Sequence, residues 1–151
     1  TGLFNRRAFS GILESAVAKA VVDGMPVAMA IVDIDHFKAI NDRFGHPAGD
    51  KSLIAVARVL KPDGDDANSV ARIGGEEFGI VFPGKDAVQA AVECERLRAT
   101  IEALQHELPL TVSIGVAALR VGGSVTTLYT RADEALYVAK RGGRNRVACV
   151  E

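Results

Sequence analysis

The stretch from Val27 to Asp35, VAMAIVDID, runs six apolar residues together and then sets two carboxylates two positions apart. An unbroken apolar run of this length, rich in β-branched residues and bounded by polar chain, predicts a central strand buried on both faces. Its acidic end then has to emerge at the rim of a sheet. On an extended chain Asp33 and Asp35 point the same way, so this strand constrains both the architecture and the place of any chemistry.

The elements around it follow from periodicity. NRRAFSGILESAVAKAVVDG predicts a first helix, with Asn5 as N-cap, Phe9, Leu13, Ala16 and Ala20 on one face, and Gly24 as the stop. DKSLIAVARVL predicts a second, with Leu53, Val56, Ala57 and Leu60 inward, ending before Pro62. VARI and FGIVF flank Gly74-Gly75, which predicts a two-residue hairpin turn of the primed type that needs positive φ. A helix capped by Asp86 follows, with Val88, Ala91, Val92, Leu97, Ile101 and Leu104 at helical spacing. The strand LTVSIGVAAL comes next, then a helix ending at Gly142-Gly143 and a closing strand NRVACV.

Helix, strand, helix, hairpin, helix, strand, helix, strand contains a βαββαβ core. This predicts an α+β fold, a split-βαβ pattern with helices on one face of a mainly antiparallel sheet. That topology brings the exit of the first strand beside the hairpin, so Asp33 can meet Glu76 and Glu77.

At 151 residues the chain fits one domain, spanning 1–151. A net charge of -1 supplies no basic field of the kind nucleic-acid binding depends on, which argues against duplex binding. No apolar run approaches the length of a membrane span, so direct membrane contact is not expected. Cys94 and Cys149 form no CxxC and fall in apolar periodic segments, which fits buried thiols and a reduced, cytoplasmic setting. The chain opens at Thr1 without Met, and the expectation is a domain excised from a longer, regulated protein.

Carboxylates gathered from two strand ends make a hard-oxygen site. Mg²⁺ prefers one or two carboxylates plus substrate phosphates to an all-protein cage, which favours phosphoryl or nucleotidyl transfer. The alternative for GGEE alone is a solvated turn. Asp35 fits a structural role better than a catalytic one, and His36 and His46 are not assigned catalysis. Arg6 and Arg7 stand in a helix first turn, where cations are poorly placed against the dipole, so a specific contact is expected, most simply a salt bridge within the domain.

DIDHFKAINDRFGHPAGD, at 33–50, sets acids, a lysine and an asparagine directly after the strand. Together with TGLFNRR, RIGGEEF, VSIGVA and ADEALYVAKRGGRNRV, in order and at matching spacing from Thr1 to about Val147, it resembles the GGDEF family of diguanylate cyclases, here as a GGEEF variant. The resemblance implies a nucleotidyl-cyclase, ferredoxin-like palm. Two subunits, each holding one GTP, would meet as a transient homodimer and make cyclic di-GMP and two pyrophosphates. It implies that Asp33, Glu76 and Glu77 are the catalytic acids and that they hold Mg²⁺ or Mn²⁺ with the carbonyl of Ile34, Glu76 also accepting the 3′-hydroxyl proton. Phe37, Lys38, Asn41, His46, Asp50 and Leu53 would surround the substrate, Asn41 and Asp50 reading the guanine edge. Lys38, Lys140 and Arg144 would bind the triphosphate. A sensory or regulatory domain would sit on the N-terminal side.

One departure stands out. Where many members carry an RxxD product-inhibition site ahead of the first motif glycine, this chain has Asp65 and Asn68. Feedback inhibition through that site is expected to be absent. The rivals are a catalytically silent GTP-binding sensor module, a cyclase with altered base choice, which Asp50 argues against, and a purely structural interaction domain.

Overall fold

Along the chain the elements are α1 (Arg6–Asp23), β1 (Val27–Ile34), α2 (Phe37–Phe44), α3 (His46–Leu60), β2 (Ser69–Arg72), β3 (Glu77–Pro83), α4 (Ala87–Glu102), β4 (Val112–Ala118), α5 (Val125–Arg141) and β5 (Arg146–Val150). The computed structural model describes residues 2–62 and 67–150. Every residue of β1 is buried, which requires pairing on both edges and cover on both faces. Strand β3 pairs antiparallel on one side and β4 antiparallel on the other. The sheet order is β2-β3-β1-β4-β5, with only the β4–β5 pair parallel. This is the expected mainly antiparallel βαββαβ arrangement.

Alternation along β1 divides the core in two. Ala28, Ala30, Val32 and Ile34 pack with Leu53, Val56 and Leu60 of α3 and Cys94, Leu97 and Ile101 of α4. Met29 and Ile31 pack with Phe9, Leu13 and Val17 of α1 and Leu128, Ala132 and Leu136 of α5. The helices inside the βαββαβ core therefore share one face as predicted, but α1 and α5 cover the other. The one-faced arrangement is corrected to a three-layer sandwich.

Residues directly opposite one another in antiparallel pairs share a face, and two rows on the α1/α5 face matter. One row runs Gly79, Ile31, Gly115 across β3, β1 and β4; the other, two residues on, runs Glu77, Asp33, Ser113. A Cβ on Gly79 would stand 2.6 Å from the ring of Phe9, and one on Gly115 would stand 2.1 Å from the backbone nitrogen of Leu136. The bare strand positions on either side of Ile31 thus seat α1 and α5, and both helices run close to the acidic row.

Several local expectations change. A helix for which no element was predicted, α2, follows β1 closely, and α3 begins at His46 rather than Asp50, with Pro47 in its first turn. In α4 the buried stripe is Ala90, Cys94, Leu97 and Ile101, while Val88 and Val92 are exposed and Leu104 lies beyond the helix end. The capping box of Asp86 with Gln89 starts the helix where expected. Cys149 is exposed, not buried, because β5 is an edge strand; Cys94 is buried. Among the described residues no helix is long and apolar enough to cross a membrane.

Candidate active site

The last paired residue of β1 before Ile34 is Asp33, and its partner on β3 is Glu77, the first residue of that strand. Between β2 and β3 the chain passes through Ile73, Gly74, Gly75 and Glu76. Neither glycine has a positive φ, so the predicted primed two-residue turn is corrected to a four-residue connection. Amides of Ile73 and Gly74 both donate to the Glu77 carbonyl, at 2.9 and 3.3 Å. A side chain at Gly74 would crowd the Glu77 carboxylate, 3.2 Å from its Oε2. Gly74 therefore serves space, not backbone reversal.

Two arginines grip this turn by its carbonyls. Arg72 donates to Gly74 O at 3.2 Å and Gly75 O at 2.8 Å, and Arg6 donates to Ile73 O at 3.4 Å. Arg6 thus makes a specific contact, but to a carbonyl where a salt bridge was expected. The amide of Ile34 donates to the Glu76 carbonyl at 3.3 Å, which ties the turn to the exit of β1. The Ile34 side chain itself is buried in the core.

Asp33, Glu76 and Glu77 are brought together beside Lys140. Lys140, in the last turn of α5, places its Nζ 3.0 Å from Asp33 Oδ2. Burial, the negative charge of Asp33 and a hydrogen bond shared with Asp33 push the Glu76 carboxyl up to about 7, against a smaller downward pull from Lys140. Burial also raises Glu77, reinforced by Asp33 and Asp133 and opposed by Lys140 and Arg6. Lys140 and Arg6 do not offset the burial and mutual repulsion of these acids, and the excess appears as retained proton affinity.

Among the described residues no three acidic, histidine or cysteine side chains form a ready-made metal cage. Mg²⁺ bound with a nucleotide does not need one, since phosphate oxygens complete its shell. Hard oxygens from Asp33, Glu77, Glu76 and a backbone carbonyl, with surplus negative charge, fit such an ion.

Beyond the acids, α2 and α3 form a corner. Phe37 and Asn41 lie four apart on α2, on one face. A Cβ on Gly49 of α3 would overlap the Asn41 amide, at 1.9 Å from Oδ1, and approach the Phe37 ring at 3.2 Å. Gly49 is what lets Asn41 lie against α3, and the sequence reading missed it because the helix was expected to begin one residue later, at Asp50. Asp50 is exposed on the next residue of α3, Leu53 is buried below it, and His46 and Lys38 are exposed. Arg144 is exposed just past α5, with a left-handed backbone at φ 64°. Asn68 donates to Glu93 Oε2 at 2.9 Å, whereas Asp65 lies outside the described residues.

The site is thus framed by a mainly antiparallel palm with a carboxylate row at the exit of its first strand. The family model described as "Diguanylate cyclase, GGDEF domain" matches residues 1–146, and the chain belongs to the GGDEF family. It is 43% identical to diguanylate cyclase DgcP of Pseudomonas aeruginosa, over 97% of this chain and 23% of that protein. It is 40% identical to the response regulator PleD of Caulobacter vibrioides, over 97% of this chain and 34% of PleD. The chain thus spans about a quarter to a third of the length of these curated relatives. Among solved structures, it is similar to the GGDEF domain of DgcB from Caulobacter crescentus in complex with c-di-GMP. The TM-score is 0.93 at 39% identity, covering 99% of this chain and 89% of that one. It also resembles the active GGEEF domain of a diguanylate cyclase from Vibrio cholerae, with a TM-score of 0.92 at 34% identity, covering 99% of this chain and 98% of that one.

Proposed function

We propose that this chain is the catalytic domain of a diguanylate cyclase. It condenses two molecules of GTP into cyclic di-GMP and releases two pyrophosphates, working across a transient homodimer in which each subunit presents one GTP. The observation that carries this reading is the convergence of Asp33, Glu76 and Glu77 with Lys140 at the strand exit. The α2–α3 corner, with Asn41 held against Gly49, adds a base-reading surface.

The 3′-oxygen of each GTP bonds to the α-phosphorus of the other, and the bond from that phosphorus to the pyrophosphate oxygen breaks. Asn41 and Asp50 take the guanine edge, an amide and a carboxylate matching its acceptors and donors, with Phe37, Leu53 and His46 bounding the recess. Lys38, Lys140 and Arg144 neutralise the triphosphate. Glu76 receives the 3′-hydroxyl proton. Asp33, Glu77, Glu76 and the Ile34 carbonyl would hold Mg²⁺ or Mn²⁺, which when bound neutralises phosphate charge and makes the 3′-hydroxyl more acidic. Placing two nucleotides face to face supplies much of the acceleration by proximity.

A cytoplasmic location, where GTP is supplied, belongs to the same reading, as does a regulatory neighbour in the longer protein. The test is to incubate the purified chain with GTP and Mg²⁺ at several protein concentrations and identify products by mass spectrometry. Cyclic di-GMP formed at a rate rising faster than linearly with protein supports the reading. GTP bound without pyrophosphate release would favour the silent sensor module instead.

A further inference from the structure

Just past α5 the chain takes three consecutive left-handed residues: Gly143 at φ 119°, Arg144 at 64° and Asn145 at 46°. Glycine adopts this region freely, but two successive residues with side chains do so only when their surroundings hold them. The holding group is Asp35, whose buried carboxylate accepts from Thr111 Oγ1 at 2.7 Å, Ser113 Oγ at 2.6 Å and the backbone amide of Asn145 at 2.9 Å. The Asn145 side chain is fixed in turn from α4, accepting from Arg98 Nη1 at 2.6 Å and donating to Glu102.

Arg144, between them, is tied at both backbone ends. Its amide donates to Ala139 O at 3.1 Å and its carbonyl accepts from Arg146 Nε at 3.0 Å. The Arg146 guanidinium folds back over Gly142 and Gly143, where side chains would collide with it at 3.0 and 2.7 Å.

We infer that Asp35 and Asn145 are positioning residues for the triphosphate. They hold residues 143–145 in the left-handed corner that aims Arg144, and they fix the end of α5 that carries Lys140. This rests on the reading of Arg144 as a phosphate ligand. Asp35 touches no substrate and performs no proton transfer in this account. It acts through the Asn145 amide, and Asn145 acts through Arg98 and Glu102.

The test measures equilibrium binding of a GTP analogue whose α,β-bridging oxygen is replaced by methylene, and of GMP, with Mg²⁺ present, to Asp35→Asn, Asn145→Ala, Asn145→Gly and Arg144→Ala. Asp35→Asn and Asn145→Ala should weaken the triphosphate about tenfold, the weight of one charge-assisted hydrogen bond, and leave GMP binding within about twofold. Both Asn145 variants keep the backbone amide that Asp35 holds, but Asn145→Gly takes positive φ freely and should lose less than Asn145→Ala. Adding Arg144→Ala to Asp35→Asn should cost little further.

Equal weakening of both ligands, or a full additional loss from Arg144→Ala in the Asp35→Asn background, would overturn the inference. If Arg144→Ala alone leaves analogue binding unchanged, the phosphate-ligand reading fails, and the positioning role fails with it. Should Asp35→Asn not fold, the comparison of Asn145→Ala with Asn145→Gly decides the matter, and equal binding by those two counts against the inference.

Discussion

Substituting Gly115 by alanine should move a helix and so disturb a site that Gly115 never touches. A Cβ there would lie 2.1 Å from Leu136 N, 2.4 Å from Ala132 O and 2.7 Å from Leu136 Cα. All three atoms are backbone, so no side-chain rotation relieves the overlap. Reaching ordinary contact of about 3.4 Å from 2.1 Å requires α5 to retreat by about 1.3 Å. A gap of that size forfeits much of the dispersion between the buried α5 residues Leu128, Ala132, Ala135, Leu136 and Ala139 and the sheet.

Overpacking of this kind costs typically about 1–3 kcal/mol, and backbone-to-backbone overlap puts Gly115→Ala at about 3. For a domain of this size that is a fall of about 6–12 °C in Tm. Lys140 lies one turn beyond Leu136 on the same helix. Its Nζ is 3.0 Å from Asp33 Oδ2, and a retreat of about 1.3 Å takes that pair out of hydrogen-bond range. GTP turnover at a temperature where the variant remains folded should therefore fall about tenfold or more. Gly79→Ala is the control, because its Cβ meets only ring atoms of Phe9, at 2.6 to 3.1 Å. It should cost about 1–2 kcal/mol as Phe9 shifts, with turnover largely kept. Thermal melts and initial rates on both variants decide the case. A Gly115→Ala protein that melts within about 1 °C of the parent and turns over normally would refute the argument, as would equal damage from Gly79→Ala.

Glu77→Ala should abolish metal-dependent turnover while circular dichroism and Tm stay near the parent values, since Glu77 is a crowded acid whose charge burial disfavours; retained activity would sink its assignment. Glu76 is raised from 4.5 to about 7 in the fold, so between these values the folded chain holds a proton that the unfolded chain does not. That contribution favours folding at low pH and is lost as pH rises through about 7. In metal-free buffer Glu76→Gln should be more stable than the parent at about pH 8, by about 1 kcal/mol after allowing for solvent screening, and the two should converge at about pH 4; parallel stability curves across that range would contradict it. Cyclic di-GMP added at micromolar concentration should leave turnover unchanged, because Asp65 and Asn68 replace the phosphate-clasping pair and Asn68 is engaged with Glu93; saturable inhibition lost on mutating this loop would show the opposite.

Glycines carry much of this architecture, and they were legible to different degrees. Gly74 and Gly75, adjacent between apolar runs, suggested a turn that needed positive φ, and the structure shows a turn without it, because Arg72 and Arg6 shape the connection through its carbonyls. Gly79 and Gly115 sit inside strand patterns, where glycine marks close approach of another element. That signal was present, but which helix approaches which glycine is set by strand order. The acids were legible because strand period and topology alone bring Asp33 and Glu77 into register. On α4 the helical-face reading held for Leu97 and Ile101 but not for Val88 and Val92, which are exposed while the smaller Ala90 and Cys94 meet the sheet in the first turns.

Asp35 was legible as a structural acid, and it is buried and accepts three hydrogen bonds from the protein, but the sequence could not name the donors. Its partners are 76, 78 and 110 residues away, so only the sheet brings them together. The same sheet brings them to the end of α5, one turn of helix from the lysine that meets Asp33. The first acid of DID therefore stands in the carboxylate row beside Lys140, and the second holds the corner that follows α5.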